Sequence, residues 1–458
     1  MVFSSLIFLY AFLPLSMLLY FVVPEIRVKN LVLLMFSLLF YAWGEPVYIF
    51  LMLFSILVNY LLGRLMEDEP AKKKHTLVFA VFINLLTLGF FKYYGFAVSG
   101  INALFRLQLP VRELPLPIGI SFYTFQALSY LIDLYRGKYR AQKNLLSFAL
   151  YISMYFQLIA GPIVRYKEVE RQLTERRLSA ENLGKGLARF VLGLGKKVLI
   201  ANVLGALFDR VSGMGGTLTT ASAWLGIAAY TLQIYFDFSA YSDMAIGLGK
   251  ACGFDFPENF NQPYLSKSVT EFWRRWHISL GSWFREYVYI PLGGNRVKPW
   301  RHVLNILIVW ALTGLWHGAD ISFVLWGLYY ALLLIFEKYV LKKPLPGPLK
   351  YIYTLLAVML GWALFSAGNL TEGLRMLSSM CGFAPGGLAD TEALYLLRSY
   401  GAWLLAGTVL VLPLGMKLRD RLLSKSRFAL AAASLVILLL STAFLVTENY
   451  NPFLYFRF

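Results

Sequence analysis

Residues 312–327, "LTGLWHGADISFVLWG", place one histidine, His317, in an apolar and aromatic stretch, with Asp320 three residues on. A second histidine, His277, lies in "FWRRWHISLGSWFREYVYIPLGGNR" and also stands beside a tryptophan. Ionisable residues inside apolar spans are costly and usually mark a pathway or a site. The competing explanation is an interhelical hydrogen bond. A neutral imidazole can take a proton from an attacking hydroxyl, which is general-base catalysis. One ring nitrogen must then be held by a partner so that the other can work. The remaining two histidines read differently. His75 follows three lysines and suits a solvated charge run, whereas His302 follows Arg301 at a helix start and suits an interfacial cap.

Around His277, the positions 273, 276, 277, 280, 283, 284 and 287 follow helical spacing. One helix would gather Trp273, Trp276, Leu280, Phe284 and Tyr287 into an apolar stripe beside Arg274, Arg275 and Arg285. Such a helix suits a bilayer edge. Its arginines could meet anionic phosphates by charge-assisted hydrogen bonds. A plain surface anchor is the alternative. In "YFDFSAYSDMAIGLG", Asp237 and Asp243 could orient a ring or substrate, or simply bond to neighbouring helices. No GxSxG elbow, HExxH, Walker A or Rossmann fingerprint occurs. Cys252 and Cys381 support neither a disulfide framework nor a metal site and read as packing residues.

These groups need elements to hold them. The 458 residues are 58% hydrophobic and 15% charged, against about 45–50% and 25% in soluble domains. The apolar residues fall in runs long enough to span a bilayer. The chain therefore reads as an all-α, polytopic membrane protein, one integral-membrane domain over residues 1–458. The first run, 4–23, lacks a basic leader and reads as a retained helix. Lys plus Arg outnumber Asp plus Glu by 43 to 25, giving +18, and the basic residues flank apolar spans. That pattern indicates cationic cytoplasmic loops and argues against nucleic-acid binding.

Charge and parity give a topology. Spans are expected at 4–23, 30–43, 47–63, 76–95 and 118–135, with "GEP" at 44–46 as a turn. Further spans are expected at 184–208, 222–247, 302–317, 322–341, 351–366, 395–414 and 427–446, about twelve crossings in all. Loops 96–117, 209–221 and 367–394 read as outside, and the basic cluster Lys417 to Arg427 as inside. If 145–160 crossed, the basic segment after it, with Arg165, Lys167, Arg171, Arg176 and Arg177, would face outside. A segment 145–163 that enters and returns, broken at "AGP" 160–162, removes the conflict. Non-helical backbone at membrane depth survives only when buried in protein or lining a wet cavity. Segment 248–301 reads as a cytoplasmic or interfacial basic-aromatic insertion.

Several motifs together carry a family likeness: "LPIGISFYTFQALSYLIDLYRG", "LIAGPIVRY", "YFDFSAYSDMAIGLG", the block from "PENFNQPYLSKSV" to "IPLGGNR", "LTGLWHGADISFVLWGLYYAL" and the terminal "NPFLYFRF". The chain resembles the membrane-bound O-acyltransferase superfamily, and most of all the membrane component of bacterial alginate and other polysaccharide O-acetylation systems. The resemblance covers nearly the whole length. It implies a ring of about 11–12 transmembrane helices, with re-entrant and interfacial pieces, around a central chamber. It implies catalysis by His317 of "LWHGA", with His277 of "RRWHISL" as second functional histidine. Arg274, Arg275, Trp276, Arg285, Trp316, Asp237 and Asp243 are the further candidates for substrate or donor contact. The resemblance also implies a cytoplasmic acyl thioester, with acetyl-CoA favoured, and a polysaccharide acceptor outside a bacterial cytoplasmic membrane. A separate extracytoplasmic SGNH-type acetyltransferase subunit would complete the system. D-alanyl transfer from a carrier protein is the nearest alternative. A transporter without acyl chemistry is the alternative from another class, but it would favour paired repeats, which the sequence does not display.

Overall fold

Apolar runs separated by glycine, proline and charged turns fold into helices, and all regular structure among the described residues is helical. The structure, a computed structural model, describes residues 1–452 apart from 113, 344, 414, 416, 418–420, 422–426, 448 and 449. Most of the basic cluster between Lys417 and Arg427, and "FLYFRF" of the terminal motif, lie outside the described residues.

The helices are α1 Leu13–Val22, α2 Ile26–Gly44, α3 Ile49–Asp68, α4 Lys73–Phe105, α5 Ile120–Tyr135, α6 Leu145–Ser153, α7 Tyr166–Val169, α8 Ala180–Gly195 and α9 Asn202–Ser212. They continue as α10 Thr220–Ala251, α11 Val269–Arg275, α12 Ile278–Phe284, α13 Pro299–His317, α14 Ile321–Phe336, α15 Leu349–Phe365, α16 Leu370–Ser378, α17 Thr391–Val411 and α18 Arg427–Thr447. Seven helical stretches among the described residues are long and apolar enough to cross a membrane, and two shorter apolar helices, Phe8–Val22 and Leu349–Phe365, accompany them. Expected spans 118–135, 222–247 and 302–317 do form helices, yet they fall outside that set. The first of these, α5, has only 16 residues, and the buried face of α10 carries Gln233, Asp237 and Ser242, which lower its apolar signal. α4 runs on to Phe105, into the loop expected from residue 96, because no proline intervenes before Pro110. The expected loop 367–394 likewise contains α16.

Contacts divide the chain into two compact units, 1–190 with 244–257, and 191–243 with 258–458. In the first unit, Lys29 is buried. Its Nζ donates to Tyr20 O at 2.8 Å and Val23 O at 2.5 Å, satisfying carbonyls that the end of α1 leaves open. α6 bears on the parity argument. Its nine residues rise about 14 Å, roughly half the hydrocarbon core. The chain leaves helical geometry at Met154, earlier than the expected break at 160–162, and residues 154–164 are buried without regular structure. Gln142 Nε2, before α6, donates to Tyr166 Oη, after it, at 2.9 Å. The two ends of the segment therefore meet, as a segment that enters and returns requires.

In the second unit, α13 and α14 are joined by residues 318–320 alone and so pack as antiparallel neighbours. A β-carbon on Gly314 would overlap Phe323 O, and one on Gly327 would overlap Trp310 O. Small residues let the two backbones touch, and this contact fixes where α13 ends. Its last residue is His317. Extended Gly318 stops the helix, and Asp320 caps the next one, Oδ1 accepting from Ser322 N at 2.7 Å. The acid three residues past His317 is thus a helix cap.

Candidate active site

The single helix expected through His277 is two helices, and the break falls on the histidine itself. α11 ends at Arg275, Trp276 is extended, and His277 takes the left-handed conformation with φ 44° and ψ 55°. A non-glycine residue there is strained and held by its surroundings. Asn259 does the holding. Its main-chain oxygen accepts from Ile278 N at 2.9 Å, and Asn261 N donates to Arg275 O at 2.9 Å, so the loop before α11 satisfies backbone groups that the break exposes. Asn259 Oδ1 lies 3.2 Å from His277 Nδ1 and accepts from Ser279 N at 3.2 Å and Ser279 Oγ at 2.9 Å. Phe238 of α10 meets the imidazole edge-on, ring centroids 4.6 Å apart. Burial pushes the His277 imidazole down to about 3, so the ring is neutral at ordinary pH.

His317 is buried in aromatic rings. Trp316, Trp326 and Phe365 stand 4.9, 5.1 and 5.1 Å from it by centroids, all edge-on. Trp316 is also 6.1 Å from His277, so one indole touches both imidazoles. Trp273, Trp310, Tyr330 and Trp362 extend this wall through further ring contacts.

Both histidines line one cavity of about 920 Å³, near the upper end of the usual range for ligand pockets. His302, Ile306, Val309, Trp310, Thr313 and His317 line it from a single face of α13. The fifteen steps of helical rise from His302 to His317 make the wall about 22 Å long. Toward the His302 end stand Lys338, Lys342 and Lys343, while Lys267, Arg274 and Arg285 also reach the cavity. One carboxylate, Glu337, occurs among the described lining residues. It is engaged, accepting from Val269 N at 2.6 Å and Thr270 N at 2.9 Å at the start of α11. The lining is strongly cationic, and suits a ligand with several anionic groups. Glu337, Lys338 and Leu341 sit on a π-helical turn at the end of α14, and Arg285 and Tyr289 on another after α12. Such turns recur at functional sites.

The structure sorts the sequence candidates. His277, His317, Trp276, Arg274 and Arg285 share the cavity. Trp316 lies behind the wall against both imidazoles. Arg275 pairs with Glu271 at 2.5 Å and is absent from the lining. Asp237 and Asp243 do not reach the cavity either. Asp237 pairs with Lys197 at 2.6 Å, both side chains almost fully buried, and Asp243 pairs with Lys196 at 2.6 Å. Their role is helix-to-helix bonding between α10 and the π-turn Lys196–Ala201. The apolar stripe of Trp276, Leu280, Phe284 and Tyr287 packs into protein. His302 is no exposed cap. It is buried, with Tyr289 Oη 2.8 Å from Nε2 and Tyr339 Oη 2.7 Å from Nδ1. His75 is exposed, Cys252 buried, and Cys381 exposed, so Cys381 is not a packing residue.

Sequence reasoning missed Asn259, Ser279, the basic residues at 338, 342 and 343 as cavity lining, and the lysine pair 196–197. Asn259 lay inside a quoted motif, yet nothing in an asparagine between Glu258 and Phe260 signals a histidine partner eighteen positions away. The lysine pair did carry a signal. Two adjacent cations inside the expected span 184–208 require partners.

The stretch of sequence that builds this cavity falls in a known class of helical membrane protein. Residues 138–343 match the MBOAT, membrane-bound O-acyltransferase family, and the chain belongs to that family. It is an acyltransferase and a multi-pass membrane protein. It is 43% identical over 400 residues to a "probable alginate O-acetylase" of Pseudomonas aeruginosa, covering 85% of this chain and 76% of the relative. A protein of the same description from Pseudomonas putida is 38% identical over the full length of both chains. The peptidoglycan O-acetyltransferase of Helicobacter pylori is 35% identical, covering 83% of this chain and 80% of its own.

Proposed function

We propose that this protein transfers an acetyl group from a cytoplasmic thioester, acetyl-CoA, across a bacterial cytoplasmic membrane toward an extracytoplasmic polysaccharide. The observation that carries this reading is the shared cavity. It carries six cationic side chains, suited to a phosphate-bearing donor, and runs along α13 from His302, beside Lys338, to the buried His317 about 22 Å on. The relatives described as acetylating alginate and peptidoglycan support the acetyl group and a polymer acceptor.

In this mechanism the thioester lies along the wall of α13, with its phosphates among the basic residues and its acyl group near His317. His317 accepts the proton of the acceptor hydroxyl as that oxygen attacks the thioester carbonyl. The tetrahedral intermediate collapses, the C–S bond breaks, and the departing thiolate takes the proton back from the imidazolium. One ester and one free thiol result, and the ring returns to neutral. The tryptophan wall keeps water from competing for the thioester. His277 orients the donor from the other side of Trp316. The acceptor hydroxyl belongs to the polymer or to an SGNH-type partner outside the membrane.

Purified protein in lipid vesicles, given radiolabelled acetyl-CoA and an oligosaccharide acceptor, should release thiol and label the acceptor. With the SGNH-type route, label should reach the sugar on addition of that subunit. Absence of thiol release from acetyl-CoA, with release from a D-alanyl carrier thioester, would replace the acetyl reading by the D-alanyl one.

A further inference from the structure

The hydrogen bonds around Asn259 fix more than the position of His277. A side-chain amide can be read either way round, with oxygen and nitrogen exchanged. Here the choice is forced. The atom facing Ser279 lies 3.2 Å from a backbone N–H, which can only donate, so that atom is the oxygen. The same oxygen lies 3.2 Å from His277 Nδ1. An amide oxygen has no proton to give, so Nδ1 must carry one. In a neutral ring the lone pair then sits on Nε2. On the far side, Asn259 Nδ2 donates to Ser242 Oγ of α10 at 3.2 Å, which holds the amide against a flip. Asn259 is fully buried, and its main-chain oxygen receives Ile278 N as well.

We propose that Asn259 is a positioning residue that locks His277 as its Nδ1–H tautomer, making the cavity-lining imidazole a hydrogen-bond acceptor at Nε2. A ring of this kind cannot stabilise a developing oxyanion, which needs a donor. It can receive an N–H of the donor's amide-bearing arm, or the S–H of the released thiol. The two histidines would then differ in how they are held, His277 by Asn259 and His317 by the surrounding rings. The left-handed backbone at His277 belongs to the same device. It turns the ring out of the helical path and onto Asn259, and the four bonds from Asn259 to residues 277–279 offset the strain.

The functional half of this inference rests on the acyl-transfer reading, whereas the tautomer does not. The two are therefore tested separately. The ring nitrogens of His277 are followed by nitrogen-15 NMR in histidine-labelled protein at pH 8, with His277→Gln used to assign the signals. Wild type should show a protonated Nδ1 and an unprotonated Nε2. Asn259→Asp keeps an acceptor at the same place and should keep that pattern. Asn259→Ala should give a mixture of tautomers. A protonated Nε2 in wild type, or an unchanged pattern in Asn259→Ala, overturns the assignment whatever the enzyme does. In the acetyl-CoA assay, Asn259→Ala should lower turnover or donor affinity about 10-fold or more per folded molecule, and Asn259→Asp should recover most of it. If Asn259→Ala folds poorly, Ser242→Ala, which frees the amide to turn, gives the same NMR readout in a milder form. Equal loss of folded protein and activity in Asn259→Ala and Asn259→Asp, with no tautomer change, would reduce Asn259 to a structural role.

Discussion

The two histidines occupy one cavity but are held in opposite ways. His277 is held by polar groups, with Asn259 gripping its ring and its neighbours at a broken helix. His317 is held by shape, at a helix end packed among Trp316, Trp326 and Phe365. A hydrogen-bond clamp fixes a tautomer and suits a group that must present one face steadily. An aromatic box fixes position and keeps water away, which suits the proton-accepting role proposed for His317. The contrast is the basis on which we propose a division of labour rather than a duplicated base.

The largest effect should come from the box. His317→Ala removes the base, and transfer should fall roughly 10²–10⁴-fold while the protein inserts and folds normally, as judged by expression and thermal unfolding. Near-normal labelling of acceptor in this variant would end the assignment.

A second prediction separates the cavity from the ion pairs that the sequence proposed as site residues. Lys197 and Asp237 are almost fully buried and paired. Removing one partner should destabilise the protein by roughly 3–5 kcal/mol, since an uncompensated buried charge remains. Asp237→Leu with Lys197→Met should recover most of that loss. Activity per folded molecule should be close to wild type in the double variant. A selective loss of turnover there would bring Asp237 back into the mechanism.

Smaller effects should appear at the basic end of the cavity. Arg274→Gln, Arg285→Gln and Lys342→Gln should each raise the KM for acetyl-CoA several-fold, with little change in kcat. The penalty should shrink as salt is raised, because exposed charges are screened. An unchanged KM in all three would move the donor elsewhere.

A further effect concerns the pH dependence of stability. His277 is depressed to about 3 in the folded protein, against an ordinary 6.5. Between those values the unfolded chain binds a proton that the native ring refuses. Stability is therefore full above pH 6.5 and declines as pH falls toward 3. Thermal midpoints of detergent-solubilised wild type should fall more steeply over that window than those of His277→Gln. Parallel slopes would show that the ring is more accessible to protons than its burial implies.

Much of this was legible in the sequence, and its limits have physical causes. His277 and His317 stood out because an imidazole in an apolar run is costly wherever the chain goes. The break in the run 145–163 was legible because charge and parity are long-range sums, insensitive to local error. The helix through His277 was misread because periodicity continues unbroken across 276–277, and only the tertiary bonds from Asn259 show why the chain turns there. Asp237 and Asp243 were read either as site residues or as bonds to neighbouring helices, and the structure shows the second. Two acids in a span need partners, but nothing in their spacing says whether the partner is a ligand or the lysines of a neighbouring turn.

The most direct test of the central claim measures donor binding and thiol release together in His317→Ala and His277→Ala, using purified protein and acetyl-CoA. Division of labour predicts that His317→Ala binds the donor with near wild-type affinity and releases no thiol on addition of acceptor. It predicts that His277→Ala binds the donor more weakly or turns it over more slowly. Wild-type donor affinity and turnover in His277→Ala, or loss of donor binding in His317→Ala, would contradict it.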